Sequence, residues 1–316
     1  MKSFVIKRII YLIPILFIVS VIVFMIIHLT PGDPAAAILG SQATPEQVNE
    51  LRIQLGLNVP IYQQYINWIL GIFQGDLGYS YFMRQSVGMA IFTHLGPTIS
   101  LAVLAQLVAI LIGIPFGIIA ANRKGSFLDQ MFMGLSLLGL AVPSFLLGLF
   151  LIILFAGMLQ WLPVAGYVPL SEGVLEHLKY LIMPVIALGS MQIALTARMT
   201  RTAMLDILNQ DYIKTARSKG LKEHRVIYKH AFKNAILPVL TVIGQSFGIL
   251  VAGAAVTETI FNIPGIGQLI INSIARRDFP VIQGIVLFVA VVYVFINLVV
   301  DFLYGVFDPR VRLKEK

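Results

Sequence analysis

The chain is 316 residues long, 58% hydrophobic and only 12% charged, with 23 basic against 15 acidic side chains and a formal net charge of +8. Soluble domains carry about a quarter charged residues, so this composition, with a mean hydropathy of +0.88, excludes a soluble enzyme or module and indicates an integral membrane protein. The absence of cysteine excludes a disulfide framework and thiolate chemistry.

Windows free of Asp, Glu, Lys and Arg run over residues 9–32, 85–122, 130–171, 180–197, 234–257 and 279–300. About 20 apolar residues cross a hydrocarbon core, so six windows predict an all-α protein with six transmembrane helices. The first window exceeds the about 7–15 apolar residues of a signal peptide and is read as a retained helix, with residues 1–30 forming a cytoplasmic tip and first span. Pro31-Gly32-Asp33-Pro34 then turns the chain at the outer surface, ahead of Ala35-Ala36-Ala37.

Residues 31–94 form a small extracytoplasmic helical region. Thr44-Pro45-Glu46-Gln47 reads as a capping box with Pro at the first helical position, followed by Val48, Leu51 and Leu55 on one face and a stop at Gly56. A second helix is predicted over 60–73, with Ile61, Tyr65, Trp68, Ile69 and Ile72 as its apolar side, ended by Gly75-Asp76-Leu77-Gly78. Two helices this short do not make an independent domain, so they pack on the bundle ends or on a partner.

Residues 95–305 hold the five remaining spans. The second and third windows are too long for one crossing each, and their helices are placed near 98–121 and 131–154; a pair of helices inside the third window is the alternative, against which the aromatic and proline-rich 160–169 reads as an interfacial loop. Small residues and prolines recur in the spans (Gly113, Pro115 and Gly117; Pro143 and Gly148; Pro184 and Gly189; Gly244, Gly248 and Gly253), which allows close packing and kinks. Gln192 and Gln245 are polar groups inside spans and are candidates for a translocation path, weighed against plain interhelical hydrogen bonding.

Residues 198–238 are the longest polar run. Nine Lys and Arg stand there against Asp206, Asp211 and Glu223, contributing +6 of the net +8. Met204, Leu208, Tyr212 and Ala216 repeat every four residues, Lys219 and Gly220 read as a helix end, and a second helix is predicted over 222–234 with Val226, Ile227, His230 and Ala231 on its apolar side. The reading is a short amphipathic helix-turn-helix on the membrane surface, weighed against a basic loop that merely lies on lipid. With the N-terminus inside, cytoplasmic segments, including the tail 306–316, collect 18 of the 23 basic residues, so both termini are expected in the cytoplasm. The same confinement of charge to loops argues against nucleic acid as a partner.

Residues 258–278 return to the exterior, with Glu258, Arg276 and Arg277 as candidate outer-face contacts, the arginines meeting lipid phosphates, Asp278, or an acidic partner. Missing chemistry is informative too. No Gly-x-x-x-x-Gly-Lys-Ser/Thr loop, Gly-x-Ser-x-Gly elbow or His-Glu-x-x-His run exists, so no catalytic residue, metal site or cofactor is assigned to this chain. The scarcity of charge inside the spans argues against a proton- or sodium-driven carrier.

The run Asp211-Tyr212-Ile213-Lys214-Thr215-Ala216-Arg217-Ser218-Lys219-Gly220-Leu221, followed by His230, Asn234-Ala235 and Pro238-x-x-Thr241, resembles the cytoplasmic coupling loop of type I ABC import permeases, and within them the dipeptide/oligopeptide/nickel branch. The general Glu-Ala-Ala motif is replaced by Lys214-Thr215-Ala216, and Leu237-Pro238 lies farther from the glycine; both departures are those of the peptide branch. Pro31-Gly32-Asp33-Pro34, Gln54-Leu55-Gly56-Leu57, Tyr62-x-x-Tyr65, Gly75-Asp76-Leu77-Gly78, Glu258-Thr259-Ile260-Phe261 and Pro264-Gly265-x-Gly267 extend the resemblance along the whole chain. It implies a permease subunit of a prokaryotic cytoplasmic-membrane importer working with a second homologous permease, expected as a heterodimer, two ATPase subunits that hold ATP and Mg, and an extracytoplasmic substrate-binding protein. It also implies that Asp211, Tyr212, Ala216, Arg217, Lys219, Gly220, Leu221, His230, Asn234 and Pro238 couple the chain to the ATPases. Peptides are the implied cargo, with nickel chelates, glutathione or oligosaccharides as alternatives. A channel or secondary carrier whose loop binds only lipid stays open as a different class.

Overall fold

The computed structural model describes residues 2–29, 32–40 and 43–307. Helix α1 (Lys2–Leu29) is followed by three short helices, α2 (Pro34–Leu39), α3 (Pro45–Gln54) and α4 (Ile61–Phe73), and by a hairpin of β1 (Tyr79–Ser80) and β2 (Gln85–Ser86). Then come α5 (Val87–Asn122), α6 (Phe127–Ala141) and α7 (Ser144–Leu151), the last continuing as a π-helical turn over Ile152–Met158. Helix α8 (Val174–Leu208) leads to α9 (Asp211–Ser218), and α10 (Glu223–Arg225) passes through a second π turn, Val226–Phe232, into α11 (Lys233–Gly253). Helices α12 (Ala255–Ile260), α13 (Ile266–Arg276) and α14 (Phe279–Phe307) complete the described chain. Five stretches are long and apolar enough to cross a membrane, and the bent α6–α7 pair makes six when counted as one span.

Several elements differ from their sequence expectations for physical reasons. Helix α5 is one 36-residue helix from Val87 rather than one beginning near 98; at 1.5 Å per residue it is about 54 Å long and overshoots the bilayer. The third span is not a single helix. Val142 adopts an extended backbone (ψ 119°) because the ring of Pro143 excludes it from the α region, and the chain turns by 100° there. Helix α8 absorbs residues 198–208, so the basic loop starts as an extension of a span. Its second predicted helix is likewise no separate piece, since it runs on into α11. The exterior return 258–278 is not bare connection, since the stretch after Pro264-Gly265 is helix α13. In the small insertion, the Thr44–Gln47 capping box forms as expected. Pro31 and the basic tail residues Arg310, Arg312, Lys314 and Lys316 lie outside the described residues.

The parallel pair α5 and α8 forms the centre of the bundle. A Cβ on Gly113 would stand 2.9 Å from Thr196 Cβ, and one on Gly117 only 2.5 Å from Thr200 Cβ, so both glycines are required for the backbones to approach this closely. Helices α11 and α14 pack antiparallel, with Gly244 against Val300 and Gly248 against Tyr293. Gln283 of α14 donates to the carbonyls of Val23 and Phe24, which holds α1 at the bundle edge. Buried apolar residues form a central cluster (Leu101, Leu181, Met183, Leu250, Phe261), one at the basic-loop end (Met204, Ile213, Val226, Val239) and one at the opposite end (Val87, Ile266, Leu269, Val281, Ile285).

Candidate coupling surface and polar interior

The basic loop is clipped onto the bundle end by its apolar side. Ile213 and Ala216 of α9 are buried with Met204, Val226, Ile227 and Ala231 against Ile118 and Ala121 at the end of α5. The chain breaks at Asn209-Gln210, which shifts the helical phase. As a result Tyr212, expected in the buried stripe, is 43% exposed and Ile213 takes its place. The Tyr212 hydroxyl accepts from Asn234 Nδ2 at 3.0 Å, and the same nitrogen donates to the His230 carbonyl at 3.1 Å. Three predicted coupling residues are thus tied together where α9 meets the stem of α11. Gly220 (φ +75°) makes the turn out of α9, because that left-handed conformation disfavours a side chain. Arg217 reaches across the turn in a two-pronged contact with Glu223, 2.7 and 3.2 Å. Asp211, Tyr212, Arg217, Lys219 and Gly220 lie on the exposed face, Pro238 is exposed in α11, and Ala216 and the half-buried Leu221 point inward.

One partnership at this end left little trace in the sequence. Asp129, buried near the start of α6, receives Arg201 Nε at 2.6 Å, Arg201 Nη2 at 2.8 Å and the Gly125 N–H at 2.9 Å. It clamps α6 to α8 just before the loop. Its signal was a single carboxylate in an otherwise uncharged helix, which needs a cation when buried.

Inside the bundle the two predicted glutamines separate. Gln192 is buried in α8, with its Oε1 free of hydrogen-bond partners among the described residues, as are the hydroxyls of Thr196 and Thr200 one and two turns on. Gln106 of α5 accepts from Ser246 Oγ at 2.9 Å. Gln245 points outward from α11 and is exposed.

At the opposite end Glu258, expected as an outer-face contact, is fully buried. Its carboxylate accepts from Thr98 Oγ1 at 2.6 Å and from the Gln268 N–H at 2.9 Å, while Thr98 Oγ1 accepts from Ile266 N–H at 2.8 Å. It therefore caps the N-terminus of α13 from another helix, packed so closely on Gly265 that a Cβ there would lie 2.3 Å from Glu258 Cδ. Burial pushes this carboxyl up from the ordinary range, opposed by the Thr98 hydroxyl and the N–H groups of Gln268 and Gly267. Asp278 is also buried and raised by burial, and takes the Ser80 hydroxyl at 2.5 Å. Arg276 and Arg277 remain exposed beside it.

A membrane bundle of this connectivity, with a rigid basic loop at one end, is the fold of the membrane-spanning subunit of an ABC transporter. The methionine transporter MetNI, solved in inward-facing form, aligns with 70% of this chain and 97% of its own at a TM-score of 0.56 and 15% identity. Residues 113–313 match the family described as binding-protein-dependent transport system inner membrane component, and residues 1–102 match its N-terminal membrane component. The chain belongs to that family and is a multi-pass permease subunit of an ABC importer. Similar proteins include a putative peptide transport system permease of Brucella abortus strain 2308, 46% identical over 99% of both chains. The di/tripeptide permease DppB of Pseudomonas aeruginosa strain UCBPP-PA14 is 41% identical over 99% of both. The glutathione permease GsiC of Escherichia coli O6:H1 strain CFT073 is 40% identical over 99% of this chain and 100% of its own.

Proposed function

We propose that this permease moves short peptides into the cell. The observation that carries this reading is full-length similarity, at 40–46% identity, to permeases named for peptides, di/tripeptides and glutathione, itself a tripeptide. The exposed face of the 198–238 loop docks on ATPase subunits, which hold ATP and Mg; this chain contributes no hydrolytic site. A second, homologous but different permease completes the pathway, and an extracytoplasmic binding protein delivers the cargo. Both termini and the basic loop lie in the cytoplasm, where the positive-inside bias puts them. Because the apolar side of α9 is packed against α5 and α8, a pull on the loop moves the bundle as a lever and does not merely bend a linker. Gln245, exposed on α11, and Gln192, whose buried Oε1 has no hydrogen-bond partner among the described residues, are both candidates for the path.

The test is to isolate the chain from native membranes with its bound partners and measure ATP hydrolysis with and without peptides and the binding protein. Hydrolysis that rises with a peptide supports the reading. ATPase that responds only to nickel chelates or sugars overturns the cargo, and absence of any bound ATPase overturns the coupling.

A further inference from the structure

We propose that α4 is an in-plane membrane anchor whose exposed apolar stripe is covered by lipid acyl chains. No charged residue occurs between Arg52 and Asp76, yet the 13-residue helix inside this stretch is about 20 Å long and too short to cross the core. Tyr62, Ile66, Leu70 and Phe73 fall on one stripe, and Tyr62 and Phe73 are 69% and 84% exposed. The neighbouring flank packs on α1. Tyr65 hydroxyl meets Ser20 Oγ at 2.7 Å, and the Trp68 ring centroid lies 5.8 Å from that of Phe24. A third flank carries only uncharged polar groups, Gln63, Asn67 and Gln74.

Both ends of α4 are held at the level where spans begin and end. At its start, Gln64 Oε1 sits 3.1 Å from His28 Nε2, one residue before the end of α1. Beyond its other end, Gly78 lies against Pro280, in the first turn of the span α14. A helix pinned at that level at both ends lies along the membrane surface, with Tyr65 and Trp68 reaching toward the core as interfacial aromatics do. The helix it packs on also leaves apolar side chains uncovered, with Phe17, Ile18 and Ile22 of α1 59%, 56% and 60% exposed. A protein arriving from water meets the Gln63–Asn67 flank instead. The insertion is thus part of the membrane body and braces a first span that shares few buried contacts with the rest.

The chain has no native cysteine, so single cysteines at Ile66, Leu70 and Phe73 are available for spin labelling, with Ile18 as lipid reference and Asn67 as polar-face control. The assembled importer is placed in phosphatidylethanolamine–phosphatidylglycerol vesicles, and collisions with oxygen and a water-soluble nickel chelate are compared. The expected result is that the three stripe positions favour oxygen as Ile18 does, that Asn67 favours the chelate, and that adding the binding protein changes nothing at the stripe. Chelate-dominated collisions at the stripe would mean a water-facing helix and overturn the proposal. Exclusion of both reagents, at rest or once the binding protein is added, would mean a protein-covered face and also overturn it.

Discussion

Glu258 joins three elements through one carboxylate, because α12, α13 and Thr98 of α5 all depend on its oxygens. Burial raises its pKa above the ordinary value near 4.5, so the folded state binds its proton more tightly than the unfolded chain. The unfolded chain then holds fewer protons in that window, and this group's contribution to stability falls as pH rises from the ordinary carboxylate value through the raised native one; Asp278 acts in the same sense. Glu258→Gln should flatten that part of the pH profile. It should also weaken the junction, because the amide has one acceptor oxygen where the carboxylate offers two, to the Thr98 hydroxyl and to the Gln268 N–H. Thermal unfolding of the purified complex across the acid range checks both. At the other end, Asp129→Ala leaves Arg201 half-buried without its two-pronged partner and should cost on the order of 2–3 kcal/mol. The double variant with Arg201→Met should recover part of that loss; a thermal midpoint no higher than that of the single variant would refute the pairing.

At the scale of elements, the proposed coupling requires a stiff loop. A substitution at Gly220 meets no neighbouring atom within 4 Å, so its penalty is conformational: the left-handed φ of +75° costs a side chain about 1–2 kcal/mol, and more for a β-branched one. Gly220→Val should therefore leave the permease assembled but alter the turn that aligns α9 with Glu223, uncoupling ATP hydrolysis from uptake. Wild-type uptake per ATP hydrolysed in this variant would refute the lever. Gly117→Val is a different case. Its Cβ would overlap Thr200 in the central α5–α8 contact, and overpacking there should cost about 1–3 kcal/mol or more, seen as loss of folded, extractable protein.

At the scale of the molecule, the positive-inside bias is a prediction of orientation. Single cysteines at Lys124 and His224 should react with an impermeant maleimide only from the cytoplasmic face, and those at Gln47 and Arg276 only from the other. The reverse pattern would invert the bundle and remove the loop from the ATPases.

The order of the apolar spans, the short helices after the first, the capping box at Thr44 and the basic loop are properties of local composition, and they were legible in the chain alone. An uncharged run of about 20 residues has one stable fate in a bilayer, and cationic loops are held on one side. The break at Val142-Pro143 was half legible: proline marked the place, but the 100° turn depends on the packing of α6 and α7 on either side of it. What only the tertiary structure decided is which polar groups meet. Asp129 finds Arg201 72 residues away, Glu258 finds Thr98 160 residues away, and Ile213 displaces Tyr212 from the core through a phase shift at Asn209. Such pairs arise because a buried polar or charged group must be satisfied by whatever donor the packed bundle brings beside it. Sequence spacing records the need for a partner, and the fold supplies its identity.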